Sequence, residues 1–125
     1  MDSVLNSMVV TAVLFAIAAV VGRRLERSPK PYGRAILSTH IALFLLIAGG
    51  IIASIYKING VTEGKLLSTI SLYIAAMTLF GNLTIGTIMA VAKQKNKKLI
   101  LAHKLSTSLM AISIFAGIAF MVLKI

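Results

Sequence analysis

Polar and apolar positions fall into long blocks along the chain. Four apolar stretches stand out, each bounded by charges or turn residues. The first covers residues 4–21 and runs into Gly22-Arg23-Arg24; the second covers 34–56 and is followed by the turn signal Asn59-Gly60. The third fills residues 66–92 and the fourth 99–123. All approach or exceed the ~20 residues that cross the hydrocarbon of a bilayer as a helix. The third is longer than a perpendicular crossing needs, so it tilts or projects a turn into water. Pro29 and Pro31 make the first linker an extended connection, because a proline disfavours helix at the residue before it. The short lysine-rich loop after the third stretch makes the last two helices antiparallel neighbours. The pattern predicts one all-α domain over residues 1–125: a four-helix transmembrane bundle, up-down-up-down, with helices 2 and 4 on one diagonal and 1 and 3 on the other.

Composition supports this reading. The chain is 58% hydrophobic and 13% charged, against the roughly 25% charged residues of soluble domains. No secretory signal peptide is expected: the first apolar stretch is long, a basic cluster follows it, and no small-residue cleavage site stands out. The net charge of +10 brings nucleic acid to mind, but its distribution argues against that partner. Arg23, Arg24, Arg27, Lys30 and Arg34 fill the first loop, and Lys93, Lys95, Lys97 and Lys98 the third. The second loop sets Lys57 and Lys65 against Glu63. Basic loops stay on the cytoplasmic side, so loops 22–34 and 93–98 are expected inside and both termini outside, in a prokaryotic cytoplasmic membrane. The same charges would touch anionic lipid. Cysteine is absent, which excludes disulfides, iron–sulfur clusters, a thiol nucleophile and covalent haem attachment.

The candidate chemistry rests on the chain's two histidines, His40 and His103. His40 lies six residues after Arg34 and His103 five after Lys98, which puts them about 9 Å and about 7.5 Å into their helices. On two helices running in one direction, at nearly one depth, they could hold a single object between them. A haem b iron, ligated from both faces, suits the pair: its macrocycle is a flat apolar plate and its iron takes imidazole axially. The propionates would need cations, and Arg23, Arg24, Arg34, Lys93 and Lys104 are the candidates. Counted back from the ends of the flanking helices, the histidine level falls near Ala16–Ala19 and Gly86–Thr87, where small side chains would admit the ring edge. Plainer readings stand beside this one. A histidine near the interface also hydrogen-bonds a neighbouring helix, or sits in headgroup water, as His103 beside Lys104 could. Small residues in apolar helices also serve close packing alone. A zinc site is disfavoured because no cysteine or acid joins the pair. Asn82, near mid-membrane, would contact a quinone-like substrate or a haem substituent, or else make an interhelical hydrogen bond.

A histidine in each of helices 2 and 4, 63 residues apart, resembles the cytochrome b561 superfamily and related bis-histidine membrane cytochromes b. The plan of a haem A synthase half-bundle is similar. The resemblance implies His40 and His103 as one axial pair. No histidine remains for a second haem, and Leu37 stands three before His40 where haem A synthases carry a glutamate. It thus implies a one-haem cytochrome b that exchanges electrons with a quinone-like carrier or a partner protein, docked on the basic face. A haem near one face does not by itself span a ~30 Å core. A non-redox transporter, channel or assembly subunit is the alternative, as is haem storage, sensing or delivery. The predicted spans carry no Asp or Glu, the usual carriers in coupled transport. A homo-oligomer is compatible with either reading.

Overall fold

A computed structural model describes residues 2–61 and 65–124; Glu63, read above as the acid of the second loop, lies outside them. Four helices account for nearly all of this: α1 (Asp2–Arg27), α2 (Arg34–Ile58), α3 (Leu66–Val91) and α4 (Lys97–Leu123). All four are long and apolar enough to cross a bilayer, and the chain is an integral membrane four-helix bundle.

Three ends follow the apolar pattern to within two residues. The first does not, because α1 continues six residues past Val21 to Arg27. An apolar run ends where the lipid ends, but a helix ends where the backbone is stopped. Arg, Leu and Glu are good helix formers, and one glycine costs only about 1 kcal/mol. The stop comes at Ser28, whose amide and hydroxyl turn back on Leu25 and Arg24 carbonyls just before Pro29. The extra turn buries Leu25 and brings Gly22, Arg23 and Glu26 onto the helix. Helix α4 starts two residues early because Asn96 caps it, its side-chain oxygen accepting from the Lys98 and Leu99 amides at 2.9 and 3.3 Å.

The helices pack most tightly as two hairpins, α1 with α2 and α3 with α4. The seams between hairpins, α1 with α4 and α2 with α3, are sparser, and among the described residues the diagonal pairs make no close backbone approach. In lipid there is no hydrophobic drive between helices, so close packing and interhelical hydrogen bonds must hold them. Both concentrate away from the basic loops. There Gly50 leaves no room for a Cβ against Thr11, and Gly117 faces Met8 and Ser71. Ser68 donates to the Gly117 carbonyl at 3.1 Å. Val4, Met8, Ile58, Leu72 and Met121 close this half with almost no exposure.

At the basic end the hairpins are tied by reciprocal lysines. Lys30, from the first loop, donates to the Met89 and Ala92 carbonyls at the end of α3. Lys95, from the third loop, donates to the Glu26 carbonyl at the end of α1, at 2.5 Å. Each cation satisfies carbonyls that a helix C-terminus leaves without an intrahelical partner, where the helix dipole also favours positive charge. Between these ties and the packed far half, the bundle stays open.

Candidate functional site

The opening is a slot of about 600 Å³ at the basic end, lined from all four helices, within the ~300–1,000 Å³ usual for ligand pockets. His40 and His103 face each other across it from α2 and α4, their ring centroids 6.5 Å apart and their planes inclined at 64°. Phe44, one turn deeper on α2, lies 5.1 Å from the His40 ring and 6.3 Å from that of His103.

Each imidazole is backed by a glycine of the preceding helix. A Cβ at Gly22 would stand 2.8 Å from His40 Cε1, and one at Gly86 would stand 3.6 Å from His103 Cε1. A glycine near the end of the first helix thus lies behind a histidine near the start of the second in both hairpins, but only at Gly22 is the missing side chain what makes room for the ring. In both rings Nδ1 is buried without a hydrogen-bond partner.

The mouth is polar, lined by Arg23, Glu26, Tyr32 and Lys104. Glu26 and Lys104 form an ion pair at 2.6 Å across the α1–α4 seam; both are partly exposed, so it contributes little stability. Burial, with the Glu26 charge adding to it, raises the pKa of Tyr32 above the ordinary phenol value. The inner end is apolar and aromatic, with Phe15, Ala18, Phe44 and Leu83, except for Asn82 and Thr107. Asn82 is 1% exposed. Its oxygen accepts a long hydrogen bond of 3.4 Å from Thr107, and its amide nitrogen has no partner.

Of the residues singled out from the sequence, His40, His103, Gly86 and Thr87 line the slot, while Ala16 and Arg34 do not. Both of the latter are exposed. Ala18 and Ala19, within the expected Ala16–Ala19 stretch, hold the α1 wall together with Gly22, and of the five candidate cations only Arg23 and Lys104 reach the mouth. Gly22, Glu26, Tyr32 and Phe44 were missed. Phe44 had a readable signal, because it follows His40 by four residues and so shares its face. Asn82 makes the interhelical hydrogen bond that one of its sequence readings expected, to Thr107, and it also borders the slot. Among the described residues no group of three or more His, Asp or Glu converges. Comparison with known protein families, with curated proteins and with solved structures finds no match to this chain.

Proposed function

We propose that the slot holds one haem b, with His40 and His103 as axial ligands, and that the protein is a membrane cytochrome b of electron transfer. The observation that carries this is the facing pair of imidazoles at 6.5 Å. A metal–imidazole bond of about 2 Å on each side, plus about 1 Å from nitrogen to ring centre, places two axial rings about 6 Å apart. Two protein ligands suffice only where the rest of the coordination comes with the cofactor, and a haem macrocycle supplies four nitrogens. The apolar inner wall and the small residues that line the slot, Ala18, Gly22 and Gly86 among them, suit a flat apolar plate. Arg23 and Lys104 would meet the propionates at the mouth, with Tyr32 beside them.

When bound, the haem supplies a one-electron redox centre. The chain's own residues fix the two imidazoles, exclude water from the inner half of the slot and present charge only at its mouth. Electron exchange would be with a quinone-like carrier or with a protein docked on the basic end. A transport path finds less support, because the far half of the bundle is filled by Met8, Ile58, Leu72 and Met121, each at most 2% exposed. The purified protein should be coloured, with one haem b per chain extractable by acidic acetone. A colourless protein that takes up no added haem overturns the reading.

Two further results are expected. With both axial positions taken, the ferrous form should give a low-spin six-coordinate spectrum that carbon monoxide changes little, since a reacting small molecule needs an open position. Rapid and complete carbon monoxide binding would mean one site is open, and would favour a sensor or an oxygen-activating enzyme. The basic end should face the cytoplasm, where ten of the thirteen Lys and Arg, Lys104 included, would lie. A reporter fused after Ile125 should then work only if it is active outside the cytoplasm; cytoplasmic activity reverses the orientation.

A further inference from the structure

The two hairpins hold each other by different means at the two ends of the bundle. In the far half the hold is apolar: Val4, Met8 and Ile58 of the first hairpin pack with Leu72 and Met121 of the second. Among the described residues, every side-chain hydrogen bond or ion pair that crosses between hairpins is made by a lysine at the basic end. These are Lys30 to the Met89 and Ala92 carbonyls, Lys95 to the Glu26 carbonyl, and Lys104 to the Glu26 carboxylate. The other side-chain bonds between helices stay within one hairpin: Lys57 with Ser7, Ser68 with Gly117, Ser106 with Thr78, and Thr107 with Asn82. The bundle is packed at one end and clasped at the other.

The clasp borders the slot. Met89 and Glu26, whose carbonyls receive Lys30 and Lys95, both line it. Where the two basic loops meet, the gap between them is only about 10 Å³, room for about one water. Tyr32, Met89 and Ile100 line both that gap and the slot. Lys30 also stands 5.0 Å from the centre of the Tyr32 ring, which ties the first loop to itself. His40 belongs to the first hairpin and His103 to the second, so anything that both imidazoles hold has to enter between the hairpins. With sparse seams and a packed far half, the motion that admits it is a parting of the hairpins at the basic end.

We propose that Lys30 and Lys95 form a latch between the hairpins, and that its release, with the hairpins turning about the packed far half, is how the haem enters and leaves the slot. The proposal rests on the haem reading for the identity of the occupant, but not for the motion. Lys30 is the stronger half of the latch, because it is part-buried and meets two carbonyls, whereas Lys95 is exposed and meets one. Lys104 adds little, since both partners of its ion pair are partly exposed. A latch acts on entry and release alike. Weakening it speeds both by the same factor and leaves the dissociation constant little changed.

The test makes use of the absence of cysteine. Spin labels on Thr39→Cys and Leu101→Cys, at exposed positions of α2 and α4, report the span between hairpins at the basic end. The span is read by double electron–electron resonance on the full chain in lipid nanodiscs without haem. An intact latch should give one narrow distance. Lys30→Met combined with Lys95→Met should add a longer and broader population, whereas Lys30→Arg, which keeps the charge and the donors, should not. Haem uptake, and haem release to an excess of haem-free globin, should each quicken about tenfold in the double variant, equivalent to ~1.4 kcal/mol. Lys97→Met, at an exposed lysine outside both openings, removes one positive charge and should leave span and rates unchanged. The single variants, each keeping the other tie, carry the same comparison if the double variant loses helicity. An unchanged span with unchanged rates overturns the latch. Slower uptake with unchanged release also overturns it, because the lysines would then only attract the propionates. Wild type that takes up no haem sinks the cytochrome reading, and the span measurement alone then decides the latch.

Discussion

His40→Ala and His103→Ala are each expected to abolish haem binding while leaving the bundle folded and inserted. Removing a direct iron ligand should exceed the roughly 10–100-fold loss in metal affinity that follows removal of a merely supporting contact. Neither variant should unfold the chain. Both rings are only partly buried and line an existing opening. Truncation enlarges an existing opening instead of creating a void in a packed core. The measurement is haem content per chain after purification, with helicity by circular dichroism as the control. Free imidazole added to either variant should restore part of the six-coordinate spectrum by filling the vacated position. If one variant keeps full haem and an unchanged spectrum, that histidine is not a ligand and the facing pair has another meaning.

The depth of this pair was legible in the sequence, because depth is a count of residues from the last charge and the helical rise is constant. Its direction was not. Arg34 lies six residues before His40 and was matched to it by depth. Six residues at about 100° each leave the two side chains about 120° apart around the helix axis, and Arg34 is accordingly exposed and away from the slot. Ala16 fails for the same reason: at the right level it faces outward, while Ala18 and Gly22, one turn apart, face in. Which face turns inward is settled by the neighbouring helices, and a chain with apolar residues on nearly every side of each span carries little amphipathic signal to show it. The membrane fold itself suffered no such loss, since apolar length alone sets it. The ties by Lys30 and Lys95 were hidden for another reason. They join residues about 60–70 positions apart through backbone carbonyls, which no residue type reveals.

The glycines give the sharpest separation between a haem slot and ordinary helix packing, because the two histidines are backed at unequal distances. Gly22→Ala puts a methyl 2.8 Å from His40 Cε1, closer than carbon atoms pack. The ring must move by more than about 0.5 Å, the tolerance within which a ligand set keeps its function. Cε1 lies between the two ring nitrogens, so pushing it also turns them, Nε2 included, away from the place where His40 would meet the iron. Gly86→Ala places its methyl 3.6 Å from His103 Cε1, an ordinary contact that the ring accepts where it stands. Haem affinity should therefore fall about tenfold or more in Gly22→Ala and change little in Gly86→Ala. Helix stability works against any trivial explanation: alanine is favoured over glycine inside a helix by about 1 kcal/mol, so α1 of the weakened variant is, if anything, the firmer helix. Haem titration of both variants, read with helicity, decides it. Normal haem affinity in Gly22→Ala would mean that the His40 ring is not held where the iron needs it. Equal losses at both sites would mean that the glycines serve packing alone.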